Sequence, residues 1–377
     1  FGQAKVTTNR HDTARTGLNQ AETILTPTNV NKTQFGRLFT QPVDGYIVGQ
    51  PLYLPNVTIG GKLHNVVYVA TLHDSVYAFD ADHNTGTNAG LLWQVNFTNP
   101  GAGITTASGA FLPCPNVHRF PESGIVSTPV IDPDAKTIYV VAKTNENGTV
   151  FHRLHALDVA SGAERANSPV PILASFTMNN GTVIQINNLH QMNRPGLLLS
   201  NGVVYATFGS NGCNDSNRSW VIGYDATTLA LTGAFVAAPE GGLASIWQSG
   251  AGPAVDGAGN IYASTGEADF DANIGGQDFG SSILRLTPTA TSLSLTDYFT
   301  PFDEAFISLN DLDLSSAGVV VLPDQPGPHP HLLIATGKQG RVYLIDRDNM
   351  GHFNPVDNSQ IVQELPQTVG GMFSTPA

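Results

Sequence analysis

Carboxylates in short loops are the side chains of this sequence with the clearest capacity for chemistry. Glu267 opens an acidic loop, and Asp311 and Asp313 stand together just before an apolar strand. Carboxylate oxygens bind hard cations and can accept a proton from a reacting group. The alternative for the two aspartates is that they cap a turn by accepting hydrogen bonds from backbone amides. The residues alone leave both interpretations open.

Other kinds of site find less support. The loop with Asp269, Asp271 and Asp278 lacks the spacing of a helical calcium loop, which favours a solvated loop. His329 and His331 have a metal-like spacing, but they lie in a Pro/Gly-rich hairpin tip. No Gly-rich phosphate loop is present. A Ser–His–Asp arrangement cannot be argued either, because its members meet only in the fold.

The composition predicts many short strands rather than long helices. Of the 377 residues, 41% are hydrophobic and 12% are charged, and there are 39 Gly and 24 Pro. This mixture is typical of strands joined by tight turns. The net charge of −13 comes without a basic stripe, so nucleic acid and anionic membranes are poor candidates as partners, and we expect no nucleic-acid partner. No apolar run reaches the length of a membrane span.

Several features are typical of an exported protein. The chain begins with Phe1 rather than Met, and it has few Lys and much Asn, Thr and Gly. We therefore expect a secreted or periplasmic protein. Cys114 and Cys213 form one long-range disulfide or are buried thiols, and an oxidising compartment favours the disulfide.

One pattern of three apolar strands recurs five times along the chain. The loops that contain Glu267, Asp311 and Asp313 lie between these strands, so the strands set their positions. The third strands close at positions 80, 158, 225, 286 and 346, which are 78, 67, 61 and 60 residues apart. A fourth strand fits after each, as at 91–95. Four antiparallel strands per repeat form the blade of a β-propeller. The predicted fold class is therefore all-β, with residues 1–34 as an N-terminal extension and 35–377 as the propeller.

The two ends of the repeat array predict an unfinished ring. The segment IVSTPV at 125–130, which begins the second repeat, recurs as MFSTPA at 372–377. A sixth blade therefore starts where the given sequence stops. Because open sheet edges are disfavoured, we expect the propeller to be incomplete at the C-terminus and to have seven or eight blades when complete.

The ends of the blades resemble a known repeat. The segments YAFDAD at 77–82, followed by LLW at 91–93, and HALDVASG at 155–162 are similar to the "A-L-D-A-x-T-G-x-x-x-W" repeat of the pyrroloquinoline quinone (PQQ) propeller superfamily. This superfamily includes quinoprotein alcohol dehydrogenases and a non-enzymatic outer-membrane assembly lipoprotein. The resemblance covers about residues 35–377 and implies the fold rather than an activity.

Three loops resemble the alcohol dehydrogenase branch more closely. The segment GSNGCNDSNR at 209–218 is similar to "G-S-S-G-A-E-L-G-V-R", STGE at 264–267 to "G-T-G-N", and DLDLS at 311–315 with LPDQ at 322–325 to "W-D-F…L-T-D-Q". The resemblance implies that Asn214, Glu267 and Asp313 are calcium ligands and that Asp313 is the catalytic base. It also implies that Arg218 and Lys338 contact the quinone, although either could be an ordinary loop cation.

The sequence also departs from the family at the quinone pocket. The family's adjacent Cys-Cys pair is absent, and only Cys114 lies in that region. The family's Glu that contacts a quinone carboxylate aligns near Val48, which has no carboxylate. Gly250 replaces the Trp that forms the floor of the pocket, unless Trp247 reaches over.

Two functions follow from this comparison. One is a secreted quinoprotein dehydrogenase that oxidises an alcohol or sugar hydroxyl with PQQ and calcium in the central channel. The alternative is a non-catalytic propeller that binds a glycan, peptide or protein partner, or that forms a module of an extracellular structure.

Overall fold

The structure is a computed structural model that describes residues 4–109, 120–210, 218–366 and 369–376. Most of the chain forms five antiparallel sheets, which we number as blades in chain order. Blade one consists of β1 (Leu52–Ile59), β2 (Lys62–Ala70), β3 (Ser75–Asp80) and β4 (Leu91–Asn96). Blade two consists of β5 (Ile104–Thr106), β6 (Val130–Asp132), β7 (Thr137–Glu146), β8 (Thr149–Asp158) and β9 (Val170–Pro171).

Blades three to five repeat this arrangement with additions at their edges. A hairpin of β10 (Ser175–Thr177) and β11 (Val183–Gln185) precedes blade three, which has β12 (Gln191–Met192), β13 (Leu198–Ser200), β14 (Val203–Ser210), β15 (Trp220–Asp225) and β16 (Leu231–Val236). Blade four has β17 (Ala254–Val255), β18 (Ile261–Ser264), β19 (Ile283–Pro288) and β20 (Leu293–Thr300). The short helix α1 (Glu304–Leu309) leads to blade five, with β21 (Val320–Val321), β22 (Leu332–Thr336) and β23 (Val342–Asp346). Then β24 (His352–Phe353) pairs in parallel with β20 of blade four, and β25 (Gln363–Leu365) completes blade five.

The predicted all-β fold of four-stranded antiparallel blades is confirmed. The third strands lie where the sequence repeat places them, and β1, β6, β13, β17 and β21 are the equivalent inner strands of the five blades. The total number of blades stays a prediction. Within the described ranges, no helix is long and apolar enough to cross a membrane.

Adjacent blades pack face to face through apolar side chains. All six residues of β3 are buried, as expected for a strand that is covered on both faces. Tyr139 and Leu154 of blade two pack with Trp220 of blade three in one continuous cluster. Burial of each such side chain contributes about 1.5–3 kcal/mol. These interfaces make the blades a rigid support for the loops at their ends.

The repeat motif has a packing role between blades one and two. The indole Nε1 of Trp93 donates a hydrogen bond to the carbonyl oxygen of Val159 at 3.0 Å. Gly162 lies against the same ring, because a Cβ atom there would come within 2.7 Å of it, and its φ of +71° also favours glycine. The Trp of one repeat therefore docks on the turn that ends the next blade.

The N-terminal segment 6–15 lies across the innermost strands and joins the blades. Val6 pairs with Tyr53 of β1, and the carbonyl oxygen of Thr7 accepts a hydrogen bond from the amide of Ile131 in β6 at 2.8 Å. The carbonyl oxygens of Thr13 and Ala14 accept equivalent bonds from Val255 N in β17 at 2.8 Å and Val321 N in β21 at 3.0 Å. The predicted N-terminal extension therefore includes a segment that links four inner strands through its backbone.

Candidate functional site

Three carboxylates meet between blades four and five. Glu267, Asp311 and Asp313 each offer an oxygen, and these oxygens lie within 4.8 Å of one another. Lys338 forms ion pairs with both aspartates, and its Nζ lies 2.7 Å from Asp313 Oδ2. Three carboxylates face one ammonium group, so the cluster has excess negative charge that suits a further cation.

The backbone brings Glu267 and Asp313 together at the end of β18. Gly266 follows this strand, and the amide of Glu267 donates a hydrogen bond to Asp313 Oδ1 at 3.2 Å. A Cβ atom on Gly266 would lie 2.3 Å from the same oxygen, so only glycine permits this approach. Asp313 is held at its main chain too, because its carbonyl oxygen accepts a hydrogen bond from Lys338 N at 3.1 Å.

The crowding of carboxylates shifts their protonation equilibria. Burial, a hydrogen bond with Asp311 and the charge of Asp313 raise the pKa of Glu267 to about 7. Burial alone would raise the pKa of Asp311, but hydrogen bonds with Lys338 and Glu267 lower it on balance. Burial opposes the charge on Lys338, yet its bonds to Asp311 and Asp313 raise the pKa of this amine. Near neutral pH, Glu267 is therefore the group of the cluster that gains or loses a proton.

Replacement of Glu267 by Gln is expected to change how stability depends on pH. The pKa of Glu267 is raised on folding, so its ionisation favours the unfolded chain and lowers stability as the pH rises from about 4.5 to about 7. Without calcium, E267Q should therefore raise the free energy of unfolding at pH 8 by about 1 kcal/mol, a value reduced for solvent screening of this half-exposed side chain. Urea unfolding between pH 4.5 and 8 measures the effect.

The exposed turn residue Asp134 supplies the control, D134N, which should leave the pH profile unchanged. Added calcium should stabilise the wild type more than E267Q, so that the wild type then has the larger free energy of unfolding at pH 8. A wild-type profile that stays flat between pH 4.5 and 8 would contradict the assignment of Glu267.

A cavity of about 680 Å³ lies at the start of the inner strands, and its wall is linked to the cluster through Arg194 and Ser249. Val48, Val126, Arg194 and Gly250 line it, and each stands four residues before the first residue of β1, β6, β13 or β17. These equivalent positions of four repeats surround the propeller axis. Phe373, in the segment that repeats the start of blade two, lines the same cavity. The cavity therefore occupies one mouth of the central channel.

Arg194 connects the cavity with the carboxylate cluster. Its guanidinium carbon lies 5.5 Å from the centroid of the Trp247 ring. Burial lowers the pKa of Arg194, while the nearby charge of Asp313 opposes this shift. A second link joins the cavity wall to the loop after Asp313, because Ser249 Oγ donates a hydrogen bond to the carbonyl oxygen of Ser316.

The structure brings together three of the residues singled out in the sequence. Glu267, Asp313 and Lys338 meet in one cluster, whereas Trp247 packs on Arg194 and is not among the described residues that line the cavity. Arg218 donates a hydrogen bond from Nε to the carbonyl oxygen of Pro239 at 2.7 Å. Asn214, Cys114 and Cys213 lie outside the described residues, so their predicted roles stay predictions.

The sequence motifs assign Arg194 no role in the site. A signal for Arg194 is its place in the repeat, four residues before an inner strand, as for Val48 and Gly250. The sequence presents Asp311 together with Asp313 as a candidate carboxylate, and the structure adds its ion pair with Lys338. The mutual contacts of these side chains depend on how the blades stack.

The other polar groups with a site-like pattern in the sequence have partners close by. His329 and His331 lie 2.7 Å and 2.8 Å from the carboxylates of Asp346 and Asp348. In the acidic loop, one oxygen each of Glu240, Asp271 and Asp278 lies within 4.8 Å of the other two. The buried carboxylate of Asp278 accepts a hydrogen bond from Glu240 N at 2.9 Å, which gives this group a structural role.

Comparisons with known proteins identify the fold. No protein-family model matches the sequence, and no curated protein matches it. The quinohemoprotein alcohol dehydrogenase ADHIIG from Pseudomonas putida HK5 aligns with a TM-score of 0.55 and 17% identity over 86% of this chain and 42% of its own. A europium-containing methanol dehydrogenase aligns with a TM-score of 0.60 and 13% identity over 96% of this chain and 58% of its own. The chain thus shares the β-propeller fold of these two dehydrogenases and spans about half of their length.

Proposed function

We propose that this chain belongs to a secreted or periplasmic quinoprotein dehydrogenase that oxidises an alcohol or sugar hydroxyl. The observation that carries the proposal is the meeting of Glu267, Asp313 and Lys338 beside the axial cavity of a PQQ-type propeller. A redox reaction of this kind needs a base for the hydroxyl proton and a Lewis acid at the oxidant. The cluster contains candidates for both.

The residues present fit a calcium ion. Calcium binds oxygen ligands at 2.3–2.6 Å, so carboxylate oxygens within 4.8 Å of one another can share one ion. Glu267, Asp311 and Asp313 would supply these oxygens, and Asn214 would add an amide oxygen by its resemblance to the family loop. After burial and a hydrogen bond with Asp311, the charges of Asp313 and Asp311 contribute to the raised pKa of Glu267, and a bound cation would offset these charges.

The cavity fits a planar quinone in size and lining. Its volume of about 680 Å³ is within the range of small-molecule sites. Gly250 leaves open space there, because a Cβ atom at this position would meet no other atom within 4 Å. When bound, PQQ would supply the two-electron acceptor for the alcohol. The chain would hold it between the walls of the channel, with Lys338 on the side of the carboxylate cluster.

Asp313 is the residue best placed to take the proton of the hydroxyl. One of its oxygens accepts a hydrogen bond from Glu267 N, and the other lies 2.7 Å from Lys338 Nζ, so the carboxylate is fixed in orientation. Lys338 and a bound cation would face the carboxylate of Asp313 with positive charge. Glu267 and Asp311 would share the bound cation with Asp313.

The alternative is a propeller that binds a ligand without catalysis. The observation that favours it is the position of Trp247, which packs on Arg194 and leaves Gly250 and Val48 on the cavity wall. These are two positions at which the family's quinone contacts are replaced. A glycan, peptide or other small molecule would then take the place of the quinone.

Reconstitution of the full-length protein separates the two functions. The protein is incubated with PQQ and calcium, with PQQ and EDTA, or with calcium alone. We expect quinone absorbance to stay with the protein after gel filtration, and dye reduction with primary alcohols or sugars only when both PQQ and calcium are present. Absence of PQQ binding at 100 µM quinone would rule out the dehydrogenase and leave the binding propeller.

A further inference from the structure

The wall of the axial cavity is mainly apolar. Six of its residues are Val48, Leu72, Phe120, Val126, Met192 and Phe373. Phe373 is 63% exposed and Phe120 is 39% exposed, although large aromatic side chains are usually buried. Apolar surface that faces an open cavity favours a ligand with an apolar, planar body.

Arg194 is the one cation on this wall among the described residues. Within the described part of the chain its guanidinium has neither a hydrogen bond nor an ion pair, and its contact is with the Trp247 ring. Asp313, whose charge acts on Arg194, is already engaged by Lys338 and by Glu267 N. Arg194 therefore keeps its N–H donors for a ligand in the cavity.

The acid on this wall, Glu122, has a partner of its own. Glu122 Oε1 lies 2.8 Å from Nδ1 of His73, which follows β2 of blade one, so this carboxylate is held across blades one and two. Its negative charge would repel an anionic group placed near it. An anionic ligand would therefore turn its charged end towards Arg194.

We infer that Arg194 binds the carboxylate of a planar, apolar ligand in the axial cavity. A guanidinium binds a carboxylate with two parallel hydrogen bonds, and the low polarity of the wall strengthens them. The carboxylate can belong to the quinone or to an acid that occupies the same cavity. Only the quinone source rests on the proposed function.

Calorimetric titration with two matched pairs of ligands tests the inference. The first pair is 2-naphthoate and 2-naphthamide, which share a body and differ in charge. The second pair is PQQ and its trimethyl ester. We expect the full-length wild type to bind the charged member of at least one pair more tightly, and Arg194→Met to lose about 10–100-fold in affinity for that member while the neutral member is unaffected.

Two further variants keep the test independent of folding. Arg194→Lys retains a positive charge, so it should keep part of the affinity, and Arg37→Met at an exposed position should bind like the wild type. Circular dichroism melts confirm that each variant is folded. Equal affinities of wild type and Arg194→Met for both acids, or equal binding of acid and amide, would overturn the inference.

The outcomes also separate the inference from the proposed function. Loss of PQQ affinity in Arg194→Met supports both, with the quinone as the source of the carboxylate. Binding of 2-naphthoate through Arg194 without any binding of PQQ supports the carboxylate site and rules out the quinoprotein.

Discussion

Asp313→Asn is expected to lower dye reduction by the PQQ- and calcium-loaded full-length protein by about 10²–10⁴-fold, the usual contribution of a general base. The amide has the same shape and can still accept the hydrogen bond from Glu267 N, which is 3.2 Å long in the wild type. It cannot take the hydroxyl proton, and it removes a negative charge from the cation site. Initial rates at saturating alcohol, with cofactor content measured by absorbance, give the result.

The same substitution has a consequence that does not depend on activity. The charge of Asp313 is among the causes that raise the pKa of Glu267 to about 7, so its loss should move this pKa towards its ordinary value. NMR titration of carboxyl-labelled Glu detects the change. Asp348→Asn, an exposed acid paired with His331, serves as the control and should leave both rate and titration unchanged. A rate within tenfold of wild type in D313N would remove Asp313 from the role of base.

Arg15→Met is expected to cost about 3 kcal/mol of unfolding free energy, because it leaves several buried acceptors without a donor. Arg15 is 0% exposed. Its guanidinium donates to Thr8 Oγ1 at 2.7 Å, to the carbonyl oxygens of Asn9 at 2.8 Å and Pro253 at 3.0 Å, and to Leu197 O at 3.4 Å. These bonds connect the N-terminal segment to blades three and four. Burial lowers the pKa of Arg15 to about 10, so it is charged at neutral pH.

Methionine fills much of the same volume and relieves the cost of a buried charge, which limits the net loss to about 3 kcal/mol. Urea unfolding of the full-length protein at pH 7 measures the loss, and Arg37→Met provides an exposed control. Because segment 6–15 contacts the inner strands of the blades, we also expect a weaker axial site in Arg15→Met. A loss below 1 kcal/mol would show that the N-terminal segment is not held by this side chain.

The blades of this protein could be predicted from sequence because their signals are local. Alternation of apolar strands and turns sets each blade, and the third strands ending near 80, 158, 225 and 346 lie as the repeat placed them. The contact of Trp93 with the turn at Gly162 joins two residues of the repeat motif, so both partners are visible in the sequence.

The candidate site was predictable only in part. Resemblance to short family loops pointed to Glu267, Asp313 and Lys338, and the structure brings these three together. It could not assign Arg194 a role, because this role depends on the place of the side chain on the channel wall and on the lack of a polar partner among the described residues.

The sequence by itself determined the strands, their grouping into blades and which loops contain chemically capable side chains. Tertiary structure decided which of those side chains meet. Glu267 and Lys338 come from different blades, and Arg15 reaches Pro253 across 238 residues of chain. Such contacts depend on the angle and spacing at which whole sheets pack around the axis, which no local pattern of residues encodes.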